Sequence, residues 1–145
     1  MLINNEEIIV LDKFNAEFAF KIGSKLVEMS IREDLKLCID IFANNKCVFH
    51  YCSDKCIPDN DNWLERKRNT VLYFQNSTRF MSNKLKGDQT LLRTKYCLDM
   101  SKYSIVSGGY PIYVKNAGFI GSICISGLKP EEDHELVVEL LNSSL

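Results

Sequence analysis

Histidine, proline and glycine are scarce: two, three and seven residues in a chain of 145, beside a single tryptophan. Only His50 and His134 offer an imidazole base, and no G-x-S-x-G elbow surrounds Ser107, Ser122 or Ser126, so nucleophilic hydrolysis has little support. Gly108, Gly109, Gly118 and Gly121 do not complete the G-x-G-x-x-G that binds dinucleotides between a strand and a helix. No apolar run approaches the roughly 18 residues that span a bilayer. The opening Met1-Leu-Ile-Asn-Asn-Glu-Glu lacks the basic start and apolar stretch of a secretory signal, so a cytoplasmic protein with no membrane partner is expected. An excess of one charge is missing too. With 18 basic and 19 acidic residues the formal net charge is -1, and no global field recruits nucleic acid. Nor does any linker, repeat or low-complexity tract divide the chain, which leaves one domain over residues 1–145.

What is present suffices for a core. The composition is 46% hydrophobic and 26% charged, ordinary for a globular protein, and a chain of this length buries roughly 70% of its unfolded surface. Six cysteines, Cys38, Cys47, Cys52, Cys56, Cys97 and Cys124, are expected as free thiols in a reducing compartment. Cys38, Cys47 and Cys124 fall inside strand-like apolar runs, where cysteine acts as a small hydrophobe.

Periodicity orders the elements. Asn15 is placed to cap a helix over residues 16–31, whose stripe is Phe18, Ile22, Leu26, Val27 and Met29. Residues 35–42 alternate as a strand, Asn44-Asn45 suits a tight turn, and residues 46–52 return as a second strand. Pro58-Asp-Asn-Asp-Asn supplies caps for a helix over 63–76. Shorter helical stretches follow at 79–86 and 90–97. Strands are expected at 103–107, 110–114 and 119–126. Pro130 then opens a last helix through 141, with Glu131, Glu132 and Asp133 at the positive end of its dipole. Short hairpin links favour antiparallel pairing. The expected fold is α/β (α+β): a five-stranded antiparallel sheet flanked by N- and C-terminal helices and a central helical segment.

Four groupings could carry chemistry. Cys47, His50, Cys52 and Cys56 are a zinc-like inventory, but zinc needs its ligands converging tetrahedrally. On a regular strand His50 and Cys52 share one face while Cys47 points to the other, so no metal site is expected. Trp63, Arg66 and Lys67 set an aromatic beside cations at helical spacing, an arrangement able to hold a planar carboxylate-bearing ligand or simply to anchor the helix. Gly108-Gly109 allows either a turn or bulge, or close approach of a ligand to the backbone. His134, in Glu131-Glu-Asp-His-Glu135, is either a ligand and proton carrier or a brace for the helix start.

Together, Trp63-x-x-Arg66-Lys67-x-x-Thr70-Val71, Gly108-Gly109-x-Pro111-Ile112, the run Phe119 to Leu128 and Glu132-Asp-His-Glu-Leu-Val137 resemble the haem-degrading-domain family. That family includes small haem-binding proteins and the glycolate-operon protein, and the similarity covers roughly residues 14–141. The resemblance implies a profilin-like sheet with helices on it, assembly into homo-oligomers, and, for some members, haem as ligand or substrate. Relatives in this branch often carry histidine just before the Gly-Gly pair, where this chain has Ser107.

Two functions stay open at this stage. One is an oligomeric protein binding haem or another planar carboxylate-bearing molecule. Trp63, Arg66 and Lys67 would then grip the ligand, Gly108 and Gly109 would admit it, and His134 would be its polar or axial contact. Any breakdown would be oxidative chemistry of the bound iron, and no catalytic residue emerges for it. The other is a non-enzymatic homo-oligomeric scaffold, with Trp63 and the 132–137 stretch as packing elements.

Overall fold

The computed structural model describes residues 1–145 in full. Two small strands, β1 (Leu2–Ile3) and β2 (Glu6–Glu7), form a ribbon ahead of β3 (Val10–Leu11) and helix α1 (Ala16–Arg32). Then come β4 (Cys38–Ala43), β5 (Lys46–Cys52), and the helices α2 (Pro58–Phe74), α3 (Thr78–Lys84) and α4 (Leu91–Thr94). Strands β6 (Gly109–Val114) and β7 (Gly118–Ser126) and helix α5 (Pro130–Asn142) complete the chain. The main sheet is five-stranded in the order β3-β6-β7-β4-β5. No helix is long and apolar enough to cross a membrane.

The local signals explain most boundaries. Asn15 Oδ1 accepts from the Phe18 N–H at 2.8 Å and starts α1. Asn44 and Asn45 take φ of 52° and 66°, the left-handed pair that a two-residue hairpin turn requires. Helix α2 begins five residues earlier than the apolar pattern suggests. Its polar first turn is held by Pro58 and by Asn60 Oδ1, which accepts from the Ile57 N–H at 2.9 Å.

The sheet is the middle layer of three. On one face Ile39, Ile41, Ile123, Ile125, Tyr110 and Ile112 meet Ala19, Ile22 and Leu26 of α1 and Val137, Leu140 and Leu141 of α5. On the other face Cys38 and Cys124 pack against Leu64 of α2. Alternation along β4 and β7 divides the two sets.

Two details depart from the periodicity. Residues 103–107 are not a strand, because side chains take their backbone N–H groups: Ser104 N–H goes to Thr70 Oγ1, and Ile105 N–H to Gln89 Oε1, both at 3.0 Å. The fifth strand is β3, only two residues long, which pairs in parallel with β6, while the other pairings are antiparallel.

A further departure lies in β5. Phe42 stands opposite Cys47 and Ile41 opposite Phe49, so Val48 is an extra residue and the strand bulges there. A bulge inverts the alternation beyond it. Cys47 therefore joins His50 and Cys52 on the α2 face, against the expectation that it points away.

Candidate functional site

The expected site residues occupy two places around α5. The first is a shallow cleft of about 210 Å3, lined by Trp63 and Lys67 of α2, Gly127 and Leu128, and Pro130 and Asp133 of α5. Lys67 is only 2% exposed, and so is Asp133. Their Nζ–Oδ2 separation is 3.3 Å, and Nζ also donates to the Ile125 carbonyl at 2.8 Å. Asp133 Oδ1 accepts in turn from the Leu128 N–H at 3.2 Å. Burial pushes the Asp133 carboxyl up to about 7, with Lys67 opposing it, and burial pulls the Lys67 ammonium below its ordinary range. This is a desolvated ion pair that closes α5 onto α2.

The glycines make that closure fit. Gly108 has φ of 129°, and a Cβ there would lie 2.5 Å from the Ile125 oxygen and 2.7 Å from Lys67 Nζ. At Gly109 a Cβ would lie 2.8 Å from Val71 Cγ2. Arg66 points elsewhere. Its Cζ sits 4.3 Å from the Trp63 ring centroid, and Nη2 donates to the Met100 and Tyr103 carbonyls at 3.1 and 3.3 Å. A ligand carboxylate meeting Arg66 or Lys67 would therefore compete with protein partners already in place. Ser107 is buried just ahead of the glycine pair.

His134 faces a different space. It lines a wide cavity of about 1110 Å3 with Glu6, Arg79, Tyr110, Glu135 and Glu139. The ring centroid of Tyr110 lies 5.7 Å away, edge to face, and the Tyr110 hydroxyl accepts from the Ile9 N–H at 3.1 Å. His134 Nδ1 is buried and has no hydrogen-bond partner. Burial, reinforced by Arg79, pulls its pKa down to about 4, so the imidazole is neutral through the physiological range. Arg79 is the one arginine or lysine on the lining. Glu6 is committed to the start of α3, where its carboxylate accepts from the Ser77 N–H at 2.7 Å and from the Ser77 hydroxyl.

Sequence reasoning brought His134 to notice but not Arg79 or Tyr110 as its surroundings. Tyr110 directly follows the glycine pair, which is a usable local signal. Nothing local joins Glu6 to Ser77, 71 positions away.

Residues 14–142 match the family described as haem degrading protein HbpS-like. A UPF0303 protein of Paraburkholderia phymatum is 36% identical over 140 residues, covering 97% of this chain and 85% of its own. Among solved structures, that of the Ybr137w protein superposes with a TM-score of 0.83 at 31% identity, over 93% of this chain and 80% of the other. A PduOC–haem complex shares the fold with a TM-score of 0.71 at 15% identity, over 93% and 95% of the two chains.

Proposed function

The chain belongs to the HbpS-like family of haem-degrading proteins, and on that footing we propose that it is a cytoplasmic protein binding haem, or another planar carboxylate-bearing ligand, in the cavity beside His134. The observation that carries this reading is the His134 imidazole, which lines the cavity and is uncharged at neutral pH. A neutral imidazole is the form that ligates iron. The cavity is also large enough for a ligand of this size, since drug-sized pockets span roughly 300–1,000 Å3.

The residues present fit such a group. His134 would hold the iron, Tyr110 would pack an apolar edge beside it, and Arg79 would answer a carboxylate. Glu135 and Glu139 repel carboxylates from the rest of the lining. Bound haem would supply an iron able to activate dioxygen, while the protein supplies position and environment. Trp63, Lys67, Gly108 and Gly109 then contribute by seating α5, and Arg66 by holding the 100–103 loop.

A haem titration followed by absorbance tests this. Wild type should show a saturable Soret shift at no more than one haem per chain. His134→Ala should lose it and His50→Ala keep it, while Arg79→Gln should weaken binding about tenfold or more. Binding should hold from pH 7 to pH 5 and fall as His134 takes a proton near its pKa of about 4. Weak, non-saturating absorbance, equal in all variants, would end the proposal.

A scaffold role has its own support. Phe20 and Ile31 of α1 are 64% and 68% exposed, which offers an apolar surface to a second copy. We propose self-association on this basis. Light scattering should show a mass above 16.7 kDa that falls with Phe20→Ser, and a monomeric wild type would remove the idea.

A further inference from the structure

Three donors from two elements converge at the β5 edge of the sheet, across the sheet from the β3–β6 side where the His134 cavity lies. His50 and Cys52 project from β5, and Asp61 from the first turn of α2. His50 Nε2 lies 2.9 Å from Asp61 Oδ1 and 3.7 Å from Cys52 Sγ, and the Cys52 Sγ–Asp61 Oδ1 separation is 3.9 Å. A tetrahedral ion with bonds of about 2.0–2.3 Å to nitrogen, oxygen and sulfur holds such donors about 3.4–3.6 Å apart. The triangle thus needs shifts of only a few tenths of an ångström to enclose an ion.

The imidazole is also prepared from behind. Its Nδ1 lies 3.4 Å from Oδ1 of Asp40, a carboxylate 1% exposed whose Oδ2 is held by Arg68 at 3.1 Å. That carboxylate offers the ring proton a partner at Nδ1 when Nε2 turns from Asp61 to an ion as a lone-pair donor, the arrangement that recurs behind metal-bound histidines. Cys47 lies near the Asp40 side of the ring, with Sγ 3.8 Å from Asp40 Oδ1. There the Arg68 guanidinium already supplies the cation, so that side is not the metal's. His50, Cys52 and Asp61 are all open to solvent, which gives an ion its entry.

We infer that His50 Nε2, Cys52 Sγ and Asp61 Oδ1 form a binding site for a zinc-class divalent cation, with the fourth position left to water. One nitrogen, one thiolate and one carboxylate select a borderline transition ion over magnesium or calcium, which prefer all-oxygen sites. Without the ion the three side chains hydrogen-bond one another; when it binds, the thiol proton leaves to solvent and the ring proton passes from Nε2 to Nδ1, beside the Asp40 carboxylate. The site does not depend on haem binding.

The test is a cobalt(II) titration of the reduced, chelator-stripped, tag-free full chain. Wild type should bind one ion with tetrahedral d–d bands and a sulfur-to-cobalt charge-transfer band, and zinc should displace it. Cys52→Ser should abolish the charge-transfer band. His50→Ala and Asp61→Ala should each weaken binding about 100-fold, beyond or at the top of what losing a supporting residue does. Cys47→Ser should bind as wild type does. These three ligands lie on the surface, so the variants should keep the wild-type circular dichroism. No saturable binding by wild type, a charge-transfer band that survives Cys52→Ser, or unchanged affinity in His50→Ala and Asp61→Ala would each overturn the assignment.

Discussion

Lys67 shows how one side chain can be misjudged from its neighbours. It lies between Arg66 and Arg68 in a basic run, yet successive helix positions turn by about 100°, and Lys67 alone of the three is fully buried. Its partner, Asp133, is 66 residues away, so no short-range signal could identify the pair. Lys67→Met should strand the Asp133 carboxylate in a dry site and lower stability by about 3–5 kcal/mol, the usual result of breaking a buried pair from one side. Lys67→Met with Asp133→Leu should recover a large part of that loss, because two apolar groups demand no solvation. Urea midpoints of the two variants check this, and equal midpoints would mean the pair contributes no coupling. The residue types of the candidate site were legible in sequence, but their division between cleft and cavity was not, since it depends on which way each side chain turns.

At the scale of elements, the opening turn of α5 sets two adjacent groups against each other. Asp133, held at about 7, keeps its proton more readily when folded, so its contribution is full below its ordinary value of 3.8 and is lost as pH rises through about 7. His134, held at about 4, works in the other sense: its contribution is full above its ordinary 6.5 and is lost as pH falls through about 4. Between these values the two trends oppose one another and flatten the pH dependence. His134→Gln should unmask the Asp133 trend, so that stability declines from pH 4.5 to pH 6.5 by up to about 1.4 kcal/mol per unit. An unchanged slope in chemical denaturation would refute the opposition. Helix α1 was plain from its apolar spacing, and α5 from Pro130 and the three acids of its first turn. Residues 103–107 and β3 were not. The first has strand-like composition but gives its N–H groups to Thr70 and Gln89, and the second is too short to show a period. The bulge at Val48 leaves no mark in the sequence either, because one inserted residue looks like any other until its partner strand is known.

For the whole molecule, the N-terminal segment matters more than its short strands suggest. β3 closes one edge of the sheet beside β6, and Glu6 supplies the acceptor for the start of α3 while walling the His134 cavity. Glu6→Ala should destabilise the fold by about 1–2 kcal/mol. It should also speed amide exchange at residues 77–81 ahead of the rest of the chain. Protection unchanged in α3 would show the cap to be dispensable. The order of the strands has a further consequence, for synthesis. β3 emerges from the ribosome about a hundred positions before β6, and β4 with β5 forms a hairpin whose other edge waits for β7. A nascent chain stopped before residue 126 therefore exposes a bare strand edge, the kind that recruits foreign strands. Helix α5 brings in the carboxylate that Lys67 needs, so the stretch that follows β7 in translation is also the one that locks the fold.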